Sequence, residues 1–451
     1  MAGQADAERM KRLSSSPEQA LIVDLAHDGR GVARIDGKTV FVADALPGES
    51  VELRRVARHR NYDEAELERV IVASPSRVTP RCRHFGTCGG CSLQHLAPDA
   101  QLEFKQRQLL ENLARIGQVT PQRILEPLAG PIWHYRRRAR LGVKRVAKKG
   151  RVLVGFRERS APYVADLAEC PVLAAPVGGL LQPLASLIDG LSIASRVPQI
   201  EVAVAPPDTA LVLRVLDAPT ASDRDRLAEF EREHAVRLYL QPGGPETVTP
   251  LTVGKPRLAY RLPDQQLSIS FEPTDFVQVN ATLNQAMINR AMTVLAPLPS
   301  DTVLDLYCGL GNFSLPLARC SRRVVGVEGA TELVERARAN AEANGIDNVE
   351  FHRADLMTPV QEAAWARDRY DLVLLDPPRA GAREVLPTVV ATGARRVVYV
   401  SCHPGSLARD AGLLVSEYGY TLAAAGVMDM FPHTNHVEAM ALFERSPGAA
   451  A

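Results

Sequence analysis

The pattern of hydrophobic and polar positions changes twice along the chain and predicts three structural regions. Between residues 18 and 73, short β-branched runs alternate with glycine turns, which is typical of a small β-barrel. Five such runs fit an OB-like architecture, a frequent platform for nucleic acids. They are Leu21–Val23, Gly31–Ile35, Thr39–Val42, Ser50–Leu53 and Val70–Val72.

The middle of the chain, residues 74–270, mixes short helical and strand patterns, and we assign it to a central α+β domain. Leucines at helical spacing predict a helix from Asp99 to Ile116. From residue 271 to 446, strands alternate with helices, which predicts a C-terminal α/β Rossmann-like domain with a doubly wound parallel sheet. Residues 1–17 are polar and are predicted to form a disordered tail.

Composition sets limits on location. The chain has 451 residues, 46% of them hydrophobic, and a net charge of +1. It contains no run of 18 or more apolar residues, and its N-terminus lacks the apolar core of a signal peptide. We therefore expect a cytoplasmic protein without a membrane-bound part.

Basic residues are concentrated in one stretch despite the small net charge. Between Trp133 and Arg159 there are eleven Lys or Arg and one acidic residue. Trp133, Tyr135 and Phe156 lie in the same stretch, and a second basic group is Arg54, Arg55, Arg58 and Arg60. Because proteins hold RNA by neutralising phosphates and stacking rings on bases, the mixture favours an RNA-contacting surface over a merely solvated one.

A glycine turn after the predicted strand Thr302–Leu306 indicates a cofactor site. Gly309 and Gly311 would allow a ligand close to the backbone. Glu328, after the next strand, can bind both ribose hydroxyls of an adenosine, and Asp355 could accept from the adenine amine. The acidic loop and the missing third glycine favour S-adenosylmethionine over NAD, with a turn that binds no ligand as the remaining alternative.

Cys402 follows the predicted strand Val397–Ser401, at the edge where α/β sheets bind ligands. Carbon methylation of uracil needs a thiolate that adds to C6, because C5 is otherwise too weak a nucleophile to attack a sulfonium methyl group. A base must then remove the C5 proton so that the thiol can leave. Cys402 fits the nucleophile and Glu438 the base, and the target base must leave its stack to reach them.

These motifs together resemble the RNA 5-methyluridine methyltransferase family, in the branch that carries an N-terminal TRAM domain and an iron–sulfur cluster. The resemblance runs from about residue 18 to 445. Its specific parts are Phe276–Asn280, Asp305–Phe313, Asp376–Arg379, Ser401–Cys402 and His433–Glu438.

The resemblance implies a set of roles for residues of this chain. Cys402 would be the nucleophile and Glu438 the base. Tyr307 stands where many relatives have Phe, and Asp355 stands where some have Asn. The implied cofactor contacts are Gln278, Tyr307, Asn312, Glu328, Asp355 and Asp376.

The seven cysteines are an odd number in a chain without a signal peptide, which argues against a disulfide framework. Cys82, Cys88 and Cys91 are close together, and Cys170 lies far downstream before a proline. Three clustered thiolates with one distant partner favour a [4Fe–4S] cluster over zinc or free thiols, and the resembled family has the same spacing at its cluster. We expect Cys308 and Cys320 to be packing residues.

The implied substrate is 23S ribosomal RNA, usually at the position named uracil-1939, with no protein partner. One alternative is a transfer-RNA 5-methyluridine enzyme that has kept the extra domain and cluster. Another is an exocyclic-amine methyltransferase, although amines need no thiol and Arg379 stands where such enzymes have an aromatic residue. A fourth hypothesis is an RNA-binding or assembly factor without methylation activity.

Overall fold

A computed structural model describes residues 16–254 and 258–445, so most of the predicted tail lies outside the described residues. The chain forms two compact units. The first unit comprises the described residues up to Lys105 together with Arg157–Tyr163 and Pro432–Asn435. The second unit comprises Gln106–Phe156, Val164–Phe431 and the described residues from His436 onward. The three-domain boundaries stay a prediction.

A closed five-stranded barrel begins the first unit, as the alternating pattern predicted, with strand order β1-β2-β3-β5-β4. Its interior is filled by aliphatic side chains such as Ile22, Val40 and Leu53, because every second residue of a strand points inward. The last strand is longer than predicted, since the charged residues of its first half hide the alternation. The strands are β1 Glu18–Leu25, β2 Gly31–Ile35, β3 Lys38–Val42, β4 Ser50–Arg58 and β5 Tyr62–Val72.

The predicted helix is α1, Pro98–Asn112, and it continues as a π-helical turn over Leu113–Gly117. Phe104 packs in a small core of the first unit with Leu25, Leu46, Leu93 and Leu96. This core therefore joins the barrel to the segment that follows the three clustered cysteines.

A six-stranded sheet forms the early part of the second unit, with order β12-β11-β10-β9-β7-β8. Its neighbouring strands are antiparallel except for β10 and β11, which are parallel. The strands are β7 Arg138–Val146, β8 Arg151–Gly155, β9 Gln199–Ala205, β10 Asp208–Arg214, β11 Arg237–Gln241 and β12 Thr249–Pro250. The helices along this part of the chain are α2 Leu181–Asp189 and α3 Ala221–His234.

The second sheet of this unit has eight strands in the order β17-β16-β15-β18-β19-β21-β20-β6. The five predicted strands are parallel, which confirms the Rossmann-like prediction for this region. They are β15 Thr302–Leu306, β16 Arg323–Glu328, β17 Val349–Arg353, β18 Leu372–Leu375 and β19 Arg396–Ser401. The order reverses between β15 and β18, and α/β sheets bind ligands at such a point.

The sheet is completed by strands that the sequence pattern did not indicate. A hairpin of β20 (Tyr420–Met428) and β21 (Glu438–Arg445) returns so that β21 lies antiparallel between β19 and β20. A short strand, β6 (Arg123–Ile124), is added at the outer edge. A separate hairpin of β13 (Ala259–Leu262) and β14 (Leu267–Ser270) precedes the sheet in the chain.

One helix precedes β15, and further helices lie between β15 and β16, between β16 and β17, between β18 and β19, and after β19. Asn280 caps the first of these helices, because its side chain accepts a hydrogen bond from the Leu283 amide. The helices are α4 Ala281–Leu295, α5 Ser314–Ala318, α6 Thr331–Ala343, α7 Leu386–Ala391 and α8 Pro404–Ser416. Across the described ranges, no helix combines the length and apolar character needed to span a bilayer.

A buried carboxylate ties the end of the barrel to its turns. The side chain of Glu49 is fully buried and accepts hydrogen bonds from Arg77 and from the amides of Leu46 and Ser74. Burial alone would raise the pKa of Glu49, but these hydrogen bonds outweigh it and lower the pKa. The resulting stability is present above the ordinary pKa of a glutamate and is lost as the pH falls through the lowered value.

We predict that Glu49→Ala lowers the free energy of unfolding of the barrel by about 3 kcal/mol, because it leaves buried amides and a guanidinium without their acceptor. Hydrogen exchange of the barrel amides in the full chain measures the change. Glu52→Ala is the matched control, since its pair with the exposed Arg69 should contribute less than about 1 kcal/mol. Equal effects of the two substitutions would contradict the role given to Glu49.

Candidate active site

A cavity of about 590 Å³ opens at the carboxyl ends of the central strands of the eight-stranded sheet. All of its lining residues belong to the second unit. Seven of the eight residues predicted to bind cofactor or to catalyse line it, namely Gln278, Tyr307, Asn312, Glu328, Asp376, Cys402 and Glu438. The structure therefore brings together residues that are up to 160 positions apart in the sequence.

The turn between β15 and α5 forms one wall of the cavity. Tyr307, Gly309 and Gly311 all have positive φ, at 64°, 55° and 88°. A Cβ atom added at Gly309 would meet no atom within 4 Å, so the backbone there faces open space. This turn can admit a ligand directly against the main chain.

Glu328, at the end of β16, is held in place by main-chain amides. One carboxylate oxygen accepts from the Gly309 amide at 3.1 Å, and the other accepts from Gly329 at 2.7 Å and Ala330 at 3.0 Å. A carboxylate fixed in this way keeps lone pairs available for hydroxyl donors such as those of a ribose.

A polar network behind the turn holds Asn312. Its side-chain oxygen accepts from the Tyr260 hydroxyl at 2.8 Å and from the Asn284 amide at 3.0 Å. Its own amide donates back to the Asn284 oxygen at 3.0 Å. Burial raises the pKa of Tyr260 far above its usual range, so the hydroxyl remains a donor at any physiological pH.

Arg137 supports the cavity from behind, although it belongs to the basic run that the sequence pattern assigned to an RNA surface. Its Nε donates to the Gln278 carbonyl at 2.7 Å, and its guanidinium lies 4.7 Å from the centre of the Tyr260 ring. Burial lowers the pKa of Arg137 to about 10. Periodicity gave no signal for this residue, because neighbouring arginines hide the single buried one.

Two aspartates near the carboxyl ends of β15 and β18 have raised pKa values. Burial raises the pKa of Asp376 to about 7. Burial likewise raises the pKa of Asp305 to about 7, and the Asp376 and Glu328 carboxylates raise it further against the hydrogen bond from Ser314. Asp305 does not line the cavity, so Asp376, Glu328 and Glu438 are the acidic groups among its lining residues.

The register of two antiparallel strands sets the positions of the predicted nucleophile and base. Ser401 of β19 pairs with Ala439 of β21. Continued by one step, this register would set Cys402 opposite Glu438, and directly opposed residues have Cβ atoms roughly 5 Å apart. The thiol is half-buried and the carboxylate is buried, and both border the cavity.

Electrostatics keep Cys402 in the thiol form when the cavity is empty. Burial is the largest cause that raises the pKa of Cys402 to about 11, and the Glu438 and Asp376 carboxylates add to it. Arg379 acts in the opposite direction. The raised pKa opposes the thiolate form, which is the form that the predicted role of Cys402 as a nucleophile requires.

One predicted cofactor residue, Asp355, does not line the cavity, and the two cysteines expected to be packing residues differ in their burial. Asp355 is exposed beyond β17, where its carboxylate accepts from the Met357 amide at 3.0 Å, and it is not among the residues that line the cavity. Its role stays a prediction. Cys308 is buried and Cys320 is exposed, so only Cys308 packs as the sequence predicted.

Three of the four predicted cluster ligands lie in one loop of the first unit, and Cys170 lies in the second unit. All four thiols are partly exposed, and the Gly90 amide donates to the Cys88 sulfur at 3.4 Å. Within residues 16–254 and 258–445, no group of three or more His, Cys, Asp or Glu side chains is arranged to hold a metal ion. The donor chemistry suits a cluster but the ligand set is not assembled, so the cluster stays a prediction.

The basic run has three kinds of member. Several form ion pairs, in which Arg140 pairs with Glu201, Arg145 with Asp189, and both Lys149 and Arg151 with Asp166. Arg137 is buried, whereas Lys144 and Lys148 are exposed. In the second basic group, Arg54 and Arg55 pair with carboxylates, and Arg58 and Arg60 are exposed.

Comparison with known proteins places this geometry in a family. The family model described as tRNA (Uracil-5-)-methyltransferase matches residues 254–446, and the model of the TRAM domain matches residues 18–67. The 23S rRNA (uracil(1939)-C(5))-methyltransferase RlmD of Alkalilimnicola ehrlichii is 53% identical over 97% of this chain and 98% of its own length. The protein of the same name from Methylococcus capsulatus is 51% identical over 97% of this chain and 99% of its own length.

The chain belongs to the RNA uracil-C5 methyltransferase family. The match of the TRAM domain agrees with the closed barrel of the first unit. The fold is also that of the tRNA (uracil-54, C5)-methyltransferase of Pyrococcus abyssi, solved with S-adenosyl-L-homocysteine. That structure has a TM-score of 0.71 at 24% identity and covers 94% of this chain and 100% of its own.

We predict that Glu438→Gln lowers the pKa of Cys402, because an amide removes the negative charge that opposes the thiolate. Alkylation of Cys402 by iodoacetamide should become about tenfold faster at pH 8, as expected for a pKa lower by about one. Peptide mapping by mass spectrometry measures the labelling of each cysteine separately. Cys320 is the internal control, and an unchanged rate at Cys402 would show that the two side chains are not neighbours.

Proposed function

We propose that this protein methylates C5 of a uridine in 23S ribosomal RNA, at the position named uracil-1939, with S-adenosylmethionine as the methyl donor. The observation that carries the proposal is that Cys402 and Glu438 line the same cavity as Glu328 and Asp376. The names of relatives about half identical over nearly the whole chain support the choice of substrate.

The cavity suits the methyl donor in chemistry as well as in size. Glu328 would accept from the ribose hydroxyls, and Asp376 in its ionised form would face the positively charged methionine part. Gln278, Tyr307 and Asn312 would contact the donor from the wall built on the turn after β15. When bound, S-adenosylmethionine supplies a methyl group on a positively charged sulfur.

The first step belongs to Cys402. The thiol loses its proton to a carboxylate of the cavity, and the sulfur forms a bond to C6 of the uracil. The electrons of the C5–C6 double bond move towards the C4 carbonyl, which makes C5 an enolate carbon. C5 can then take the methyl group, a reaction for which the unactivated ring is too weak a nucleophile.

The second step belongs to Glu438. After methylation, C5 carries both a methyl group and a hydrogen, so the ring cannot regain its double bond until that hydrogen leaves. The Glu438 carboxylate takes it as a proton, the C5–C6 double bond forms again, and the bond between C6 and the Cys402 sulfur breaks. The thiolate is regenerated for the next cycle.

The uridine must leave its stack to reach a cavity of this kind, because C6 and C5 are covered on both faces in stacked RNA. Exposed basic residues, Lys144 and Lys148 in the second unit and Arg58 and Arg60 in the first, would each bind RNA phosphates. The barrel, which matches the TRAM family, would supply further contacts to single-stranded RNA.

Labelled methyl donor offered to unmodified ribosomal RNA tests the substrate most directly. We expect label at one uridine of 23S RNA, mapped by nuclease digestion and mass spectrometry. Transfer RNA from the same cells is the competing substrate. Label in transfer RNA alone would replace the proposed substrate with the transfer-RNA alternative, and label on an exocyclic amine would contradict the reaction.

We predict that Glu438→Gln accumulates a covalent complex of protein and RNA, because adduct formation continues while proton removal stops. A denaturing gel with labelled RNA measures the complex, and the release of methylated RNA from the protein should slow by at least about 100-fold. Cys402→Ser should form no complex and no product. Normal turnover of Glu438→Gln without a complex would show that Glu438 is not the base.

We also propose that Cys82, Cys88, Cys91 and Cys170 hold a [4Fe–4S] cluster in the cell. The spacing of the first three and the partly exposed thiols support this. The cluster would hold the loop in a fixed shape. No step of methyl transfer requires it.

Protein purified without air should contain about four iron atoms and four sulfides per chain if this proposal holds. Cys170→Ser should lose most of the iron, whereas the matched change Cys320→Ser should keep it. Stoichiometric zinc without iron, or equal iron in both variants, would contradict the cluster.

A further inference from the structure

The segment just before Glu438 is built into the first unit, although Glu438 itself begins β21 of the second. Pro432–Asn435 is the only stretch of the described chain after Tyr163 that the first unit contains. Residues that follow the cysteine loop form hydrogen bonds with its main chain. The amides of Ser92 and Leu93 both donate to the His433 carbonyl, each at 2.9 Å.

His433 adopts a conformation that needs outside support. Its φ is 66°, in the left-handed region that a non-glycine residue rarely occupies. Its amide donates to the side-chain oxygen of Gln101 at 2.9 Å. The Gln101 amide in turn donates to the Leu93 and Leu96 carbonyls, at 3.1 and 2.7 Å. Gln101 is 1% exposed, so these hydrogen bonds, which we call the bracket, are shielded from water.

Asn435 is held by a reciprocal pair of hydrogen bonds. Its amide donates to the Ser92 hydroxyl at 3.0 Å, and that hydroxyl donates to the Asn435 side-chain oxygen at 3.3 Å. The Asn435 side-chain amide donates to the His27 carbonyl of the barrel at 3.2 Å. Both ends of the strained stretch are therefore fixed within the first unit.

We propose that Ser92 and Gln101 are positioning residues for Glu438, and that they act on the second half of the reaction. Asn435 lies three residues before Glu438, so the chain has little slack between the fixed stretch and the carboxylate. Loss of the bracket lets His433 relax from its left-handed conformation. The relaxation is transmitted along the chain to the first residue of β21.

This inference rests on the proposed role of Glu438 as the base and deepens it. Cys402 directly follows β19, which pairs with β18 and with Ala439–Glu444 of β21. A displaced Glu438 leaves the Cys402 nucleophile in place. Adduct formation therefore continues, while the removal of the C5 proton and the release of the product slow. General loss of stability would slow both halves of the reaction alike.

The experiment separates adduct formation from product release in single-turnover reactions with unmodified 23S RNA. In Ser92→Ala we expect release to slow by about tenfold, since small misplacements of a catalytic group have effects of this order. Adduct formation should stay within about twofold of the parent protein. Gln101→Ala should behave in the same way, and Ser92→Thr, which keeps the hydroxyl, should restore release.

Ser76→Ala is the matched control, because Ser76 lies in the same unit and makes its hydrogen bonds to Ser74 and Ala97 through the main chain. Equal slowing of both steps in Ser92→Ala, or unchanged release, overturns the positioning role. The Glu438→Gln variant, assayed in parallel, separates a failure of the proposed base from a failure of the positioning role. If that variant forms no lasting adduct, the proposed base is wrong, whereas a lasting adduct there with normal release in Ser92→Ala refutes the positioning alone.

Discussion

The pairing register between β19 and β21 is the constraint on which the active site depends. Ser401 opposite Ala439 is the last pair of the ladder, and the same register continued by one step would oppose Cys402 and Glu438. Side chains alternate between the two faces of a sheet, so a slip of one residue would send one of the two to the other face. The buried rows on both strands fix the register, because Val397, Tyr399, Ala441 and Phe443 all pack in the core. The hydrophobic core therefore determines the chemistry at the edge of the sheet.

The same arrangement creates an electrostatic problem that the reaction has to solve. A carboxylate next to a thiol raises the pKa of that thiol, and burial adds to the effect. In the proposed mechanism the carboxylate has to lie close to the thiol, because it must reach C5 of the ring that is bound to the sulfur. In the proposed mechanism this arrangement favours the final removal of the C5 proton. The initial loss of the thiol proton depends on the other charges of the cavity, including that of Arg379, which lines it.

Much of the fold and site could be predicted from the sequence, because the information was local. The parallel strands are runs of β-branched residues that end at Asp376, Glu328 and Cys402, and a parallel sheet gathers its carboxyl ends at one edge. The hairpin of β20 and β21 could not be predicted in this way. Its strand β21 pairs with β19, whose residues lie 38 to 48 positions earlier in the chain. No local pattern indicates that the last strand inserts between two others. Arg137 was misplaced for a similar reason, since one buried arginine among exposed ones leaves no periodic signal.

The most direct test of the central claim traps the bond between the protein and the uracil ring. A 23S RNA fragment with 5-fluorouridine at the target position should stop after methyl transfer, because fluorine at C5 cannot be removed as a proton. Digestion and mass spectrometry should then find one nucleotide attached to the peptide that contains Cys402. Attachment to any other cysteine, or complete turnover of unmodified RNA by the Cys402→Ser protein, would contradict the account.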